Sequence, residues 1–180
     1  MRQDNGTKIE HLSKKLNGLL SMPQQTVPLE FIHFRNREWA KGTYKKKLGM
    51  DSLFLEWLLL KHDQIEDATS LGQGWESDGI LDGFKLDFKE IQNQHRTFGI
   101  HTKEKFDQYK NNYDNELLDL VVFYSTRRNY KNPRLLKAGD NVKFYYRGLI
   151  DVQDMLNESK PSHYPRGYKF ISLNNQLITK

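Results

Sequence analysis

Two aspartates and a lysine, Asp78, Asp87 and Lys89, stand around the dipeptide Asp82-Gly83, whose residue types suit a tight hairpin turn. With Asp82 and Gly83 at the tip, Leu81 faces Phe84, Asp78 faces Asp87 and Glu76 faces Lys89. Residues directly opposed on antiparallel strands share a face, with Cβ atoms about 4.5–5.5 Å apart. Two carboxylates that close destabilise the hairpin unless a cation offsets them, and a hard Mg²⁺, with Mn²⁺ as a substitute, is the natural one for oxygen ligands. Lys89, two residues beyond Asp87, reaches the same pocket. Such a trio suits hydrolysis of a phosphodiester: the metal polarises a phosphoryl oxygen and activates water, while the lysine orients that water or stabilises the developing charge. Neither a serine or cysteine nucleophile nor a covalent intermediate is needed.

The tripeptide Asp87-Phe88-Lys89 is not distinctive by itself. Acid-x-Lys occurs twice in the chain, the second time as Glu158-Ser159-Lys160, and roughly two matches are expected by chance at this composition. Context separates them. The first lies on a strand, with Asp78 on its hairpin partner and Glu56 on the preceding apolar helix; the second runs into Pro161 in a predicted loop. Glu56 also has a plainer reading, as an acid on the solvent stripe of that helix.

The elements that must position these residues follow from periodicity. Ile9, Leu12, Leu16, Leu19 and Leu20 recur at three-to-four spacing and predict an amphipathic helix over 8–21, stopped by Pro23 and Pro28. Over 51–66, Leu53, Trp57, Leu60 and Gln64 form one stripe, widened by Leu55, Leu58 and Leu59, with Asp51 as a cap. Phe84, Leu86 and Phe88 alternate with Lys85, Asp87 and Lys89, giving the second hairpin strand one buried and one polar face. Residues 103–116 read as a polar helix and Leu117 to Ser125 as a strand flanked on both sides. Further on, 142–150 is a strand, 151–158 a short helix and 168–173 a terminal strand.

A length of 180 residues favours one domain with an N-terminal elaboration. The absence of cysteine excludes disulfides, thiolate chemistry and cysteine-ligated zinc. Hydrophobic residues make up 37% against 28% charged, at a mean hydropathy of −0.81, so the apolar residues must be concentrated in a few elements. No apolar run approaches the roughly 20 residues that span a bilayer, and the first residues lack the layout of a secretory signal. A soluble, cytoplasmic protein with no membrane partner is expected.

The net charge of +5 is unevenly spread: residues 1–50 carry +6, residues 51–100 carry −6 and residues 101–180 carry +5. An acidic centre between basic flanks suits carboxylates that gather a cation while the flanks approach phosphates; charge on ordinary solvated surfaces is the alternative. In the first flank Arg35, Arg37, Lys45, Lys46 and Lys47 are interleaved with Phe31, Phe34 and Trp39. In the second, Arg127, Arg128, Lys131 and Arg134 follow the buried strand and read as the densest cationic loop. Gln92 and Lys103 are further candidates for phosphate contact. Tyr145, Tyr146, Tyr164 and Tyr168 read as packing residues, and His95 and His101 do not have zinc spacing.

Ser77-Asp78-Gly79-Ile80-Leu81, followed by Phe84-Lys85-Leu86-Asp87-Phe88-Lys89-Glu90-Ile91, resembles the core of the PD-(D/E)XK nuclease superfamily over about residues 50–127. That resemblance implies an α/β fold with a mixed central sheet flanked by helices, a restriction-endonuclease-like core. It assigns Asp78 and Asp87 as metal ligands, Lys89 as the catalytic lysine and Glu56 as a helix-borne acid; Ser77 stands where the family often has proline. The family pattern has one strand more than the periodicity gives, unless 68–74 supplies it. The resulting expectation is a Mg²⁺-dependent DNA endonuclease, with a site-specific restriction or homing type as one form of it, acting as a homodimer. Residues 1–47 would be a helical, basic extension packed on the core or on DNA, and 48–180 the nuclease core with a C-terminal elaboration. A resolvase or recombination exonuclease, and a non-catalytic nucleic-acid-binding module, are the alternatives.

Overall fold

The computed structural model describes residues 5–40, 51–68, 77–91, 97–100, 103–129, 135–161 and 169–172. In chain order these form α1 (Asn5–Leu20), β1 (Gln25–Thr26), α2 (Leu29–Ala40), α3 (Asp51–Lys61), β2 (Gly79–Leu81), β3 (Phe84–Glu90), β4 (Thr97–Ile100), α4 (Lys103–Asp114), β5 (Leu120–Arg128), β6 (Asn141–Asp151), α5 (Val152–Glu158), β7 (Lys160–Pro161) and β8 (Lys169–Ser172). Five strands make a mixed sheet in the order β1-β6-β5-β3-β2; β4, β8 and β7 make a smaller sheet in the order β4-β8-β7. In the larger sheet β3 and β5 are parallel and the other pairs antiparallel. A parallel pair needs a crossover connection, and α4 lies within the one from β3 to β5.

Helices cover both faces of this sheet. Leu86 and Phe88 of β3, Leu120, Val122 and Tyr124 of β5, and Phe144 and Leu149 of β6 pack in one cluster with Leu12, Leu16 and Leu20 of α1, Phe31 of α2 and Phe54 and Leu59 of α3. Val121 and Phe123 of β5 and Ile150 of β6 pack in the other, against Phe106, Tyr109 and Tyr113 of α4 and Val152 and Met155 of α5. β5 is therefore central and buried on both sides from Leu120 to Ser125, as its unbroken apolar run predicts.

The first of these clusters is the larger, and α3 lies within it. Leu53, Phe54, Leu55, Trp57, Leu58 and Leu59 are all buried, so α3 is apolar around most of its circumference rather than along one stripe. Aromatic rings join the helices: Phe31 lies 5.0 Å from Phe54 and 5.5 Å from Trp57, and Phe54 lies 6.2 Å from Phe144. α3 ends at Lys61, short of the predicted 66, because the chain turns at Asp63 with a left-handed φ of 52°. Glu66 then exchanges backbone hydrogen bonds with Ile80, forming one isolated bridge beside β2. Residues 69–76, most of the stretch considered for a further strand, lie outside the described residues.

Residues 29–40 of the basic, aromatic segment form helix α2, which the sequence reading left unassigned. α1 and α2 both contribute to the main cluster. No helix among the described residues is long and apolar enough to cross a membrane.

Candidate active site

Asp82 and Gly83 form the hairpin tip with φ of 51° and 83°, the pair of positive values that a tight two-residue turn between right-twisted strands requires. The register is Leu81 with Phe84, Ile80 with Lys85 and Gly79 with Leu86. Continued by one step it would pair Asp78 with Asp87. At that step the ladder changes: the Asp78 backbone N–H donates to Leu86 O at 2.7 Å, and the Asp78 side chain accepts the Phe88 N–H at Oδ2, also at 2.7 Å. The carboxylate thus does the work of a backbone acceptor at the end of β2. Gly79 lets Ile65 pack against β2, since a Cβ there would lie 2.5 Å from Ile65 Cδ1.

Asp87 is only 7% exposed although it is charged. Its two oxygens are occupied from two directions: Lys89 Nζ donates to Oδ1 at 2.6 Å, and the Tyr109 hydroxyl donates to Oδ2 at 2.9 Å. Lys89 comes from the same strand face two residues on, as strand alternation demands. Tyr109 comes from α4, anchored by the cluster that α4 shares with Phe123 and Ile150.

The electrostatics join these residues. Burial, then the charge of Asp87 and a hydrogen bond with it, push the Asp78 carboxyl up to about 7, against the opposing effects of Lys89 and the Phe88 N–H. Burial alone would lower Lys89, but the charges of Asp87 and Asp78, the hydrogen bond to Asp87 and the charge of Glu56 outweigh it and hold the ammonium above its ordinary value. Burial first, then the charge of Asp87, raise the Tyr109 hydroxyl well above its usual range, so it remains a donor. Asp87 and Lys89 are therefore one hydrogen-bonded ion pair, with Asp78 and half-buried Glu56 acting on Lys89 through their charges.

Two carboxyls whose charges act on one another present oxygen ligands that a hard divalent cation can take. Mg²⁺ commonly uses one or two carboxylates and fills its remaining positions with water and substrate oxygens, so Asp78 and Asp87 fit it by donor type. Lys89 would remain beside them as a cation and proton donor.

The nucleic-acid candidates are dispersed. Arg35 is 6% exposed, and its Nη1 donates to Leu136 O at 2.7 Å; burial lowers its guanidinium below the ordinary value. It holds α2 to the chain before β6. Arg37 and Lys103 are exposed on α2 and at the start of α4. Arg127 and Arg128 are not in a loop, because β5 runs on to Arg128 through its pairing with Val142 and Lys143. Arg127 is exposed, whereas Arg128 ion-pairs with Glu90, which also accepts the Thr126 hydroxyl at 2.8 Å. Lys45, Lys46, Lys47, Gln92, Lys131 and Arg134 lie outside the described residues.

The sequence reading missed Tyr109. Its signal is the spacing of Phe106, Tyr109 and Tyr113, a narrow apolar stripe on an otherwise polar helix. A crossover helix must lay such a stripe on the sheet, on the face to which Asp87 points. No protein-family model, curated protein or solved structure matches this chain.

Proposed function

We propose that this protein is a metal-dependent DNA endonuclease with a restriction-endonuclease-like core. The observation that carries the reading is the group of half-buried Asp78, buried Asp87 and half-buried Lys89 at the open end of a hairpin, with the Asp78 carboxyl held by the Phe88 N–H and Lys89 bound to Asp87. The hairpin β2–β3, the crossover through α4 and the parallel strand β5 support it; the third strand that the superfamily resemblance implies before that helix has its place in the chain taken by β4, which belongs to the smaller sheet.

Asp78 and Asp87 would hold Mg²⁺, which when bound polarises a phosphoryl oxygen and lowers the pKa of water. Asp87 anchors Lys89, so the ammonium is fixed where negative charge develops on the phosphate. Tyr109 fixes the Asp87 carboxyl from the opposite side. Glu56 keeps the pocket's net charge negative and so favours a cation over a bare phosphate. Cutting both strands of a duplex with one such site per chain calls for two copies, hence a homodimer on DNA.

Supercoiled plasmid with Mg²⁺ tests the reading. The parent should nick or linearise it and stop on chelation, while Asp87→Ala and Lys89→Ala should each lose on the order of 10²–10³-fold in rate yet still retain DNA in a gel-shift assay. Cleavage at the parent rate by either variant would sink the assignment.

A further inference from the structure

The sheet face that carries Asp87 and Lys89 continues past the site. Phe123 is the neighbour of Lys89 across the parallel pair, and the apolar cluster on this face includes Val121 and Phe123 of β5. The next residues of β5 on the same face are Ser125 and Arg127, paired with Tyr145 and Lys143 of β6. Between Phe123 and Tyr124 the register shifts: Phe123 pairs with Gly148 and Tyr124 with Tyr146, leaving Arg147 as the extra residue of a β-bulge. Gly148, with φ of 124°, supplies the backbone conformation the bulge needs. The bulge turns Arg147 onto this face too, where its Nε donates to Ser125 Oγ at 2.7 Å.

Arg127, Lys143 and Arg147 therefore share one surface with Tyr145. Lys143 Nζ and Arg147 Cζ stand 5.8 and 5.7 Å from the Tyr145 ring centroid, so the ring holds both cations in place. Arg127 is exposed and the other three half-buried. Glu90, the acid that pairs with Arg128, belongs to the opposite face with Tyr124 and Thr126. At about 3.3 Å per residue, Ser125 lies roughly 7 Å and Arg127 roughly 13 Å beyond the lateral neighbour of Lys89. That is a few nucleotides of backbone.

We infer that Arg127, Lys143 and Arg147, arranged around Tyr145, form a track for the sugar–phosphate backbone of duplex DNA that leads it to Asp78, Asp87 and Lys89. The inference rests on the nuclease reading for its direction and on charge complementarity for its ligand. Cations fixed on a sheet meet phosphates without reading bases, so the track positions the duplex rather than selecting its sequence.

The test is fluorescence-anisotropy titration of a short DNA duplex in EDTA over a range of salt concentrations, where no Mg²⁺-dependent cleavage intervenes. The Arg127→Gln/Lys143→Gln double variant should bind about tenfold or more weakly than the parent, and its log–log salt slope should be shallower by about 2, because each lost phosphate contact removes about 0.9. The exposed pair in α1, Lys8→Gln/Lys14→Gln, should leave both quantities unchanged. An unaltered slope in the first variant, an equal loss in the α1 variant, or tighter binding of an RNA duplex of the same sequence would overturn the track. Plasmid cleavage by the parent in Mg²⁺ is measured alongside. Absent cleavage with the slope change intact rejects the nuclease reading and leaves the DNA surface standing, whereas cleavage without a slope change rejects the track alone.

Discussion

Tyr109 and Asp78 show how few atoms decide this site. Tyr109→Phe keeps the ring in the α4 cluster and removes one hydrogen bond to Asp87. Hydrogen bonds to charged groups contribute about 1.5–3 kcal/mol, so plasmid cleavage should fall about tenfold or more while DNA retention is unchanged; wild-type cleavage would show that Asp87 does not need this support. Asp78 makes a second prediction, through pH. Its carboxyl sits near 7 when folded against 3.8 ordinarily, so between pH 4 and 7 the folded chain holds a proton that the unfolded chain has lost. Stability then falls as pH rises through that window and levels off above it. Thermal melts of the metal-free protein at pH 4.5 and 7.5 should show this fall, and Asp78→Asn, which keeps an oxygen for the Phe88 N–H, should abolish that part of it. A variant that melts in parallel with the parent at both pH values would exclude Asp78 as the cause. Asp78, Asp87 and Lys89 were legible in the sequence because strand alternation and a two-residue turn determine their neighbours. Tyr109 was not, because a helix that arrives from elsewhere in the chain brings it in.

At the scale of elements, the hairpin was readable because Asp82-Gly83 admits few alternatives. Gly83 has a φ of 83°, a region that costs a residue with a Cβ about 1–2 kcal/mol. Gly83→Ala should therefore lower the unfolding free energy in a urea titration by about that amount; an unchanged midpoint would mean that the tip contributes nothing to holding Asp78 beside Asp87. The elements that escaped the reading have physical reasons in common. β1 is two residues long and pairs with β6 across more than a hundred positions of chain, and β7 is equally short, so neither leaves a periodic trace. The extension of β5 to Arg128 was hidden because its last residues are polar, and only the partner strand β6 keeps them extended. Tyr145 looked like a packing residue on composition. Its neighbour Tyr146 is the one that turns into the core, with its hydroxyl 2.7 Å from Ser13 Oγ of α1.

For the whole molecule, an N-terminal extension was expected from charge and helix spacing, but its dependence on the rest follows from packing. Leu12, Leu16, Leu20, Val27 and Phe31 are each 1% exposed or less and share one cluster with the sheet. A chain beginning at residue 48 would leave the Phe54, Leu59 and Phe144 side of that cluster open to water, at about 25 cal/mol per Å² of apolar surface exposed. Such a truncation should show no cooperative thermal transition by circular dichroism; a sharp melt would establish 48–180 as an independent domain. Basic, acidic and basic stretches follow one another along the chain, and the sheet face that joins Asp87 to Arg127 carries opposite charges on one surface.

The bond from the Phe88 amide to the Asp78 carboxylate gives the molecule a built-in reporter. That proton rests on the very oxygen pair offered to an ion, so its nitrogen and proton resonances will shift as the carboxyl gains or loses charge, and its exchange into deuterium oxide will slow or quicken with whatever occupies the pocket. A single labelled phenylalanine position can therefore follow occupancy in solution, with no substrate and no turnover.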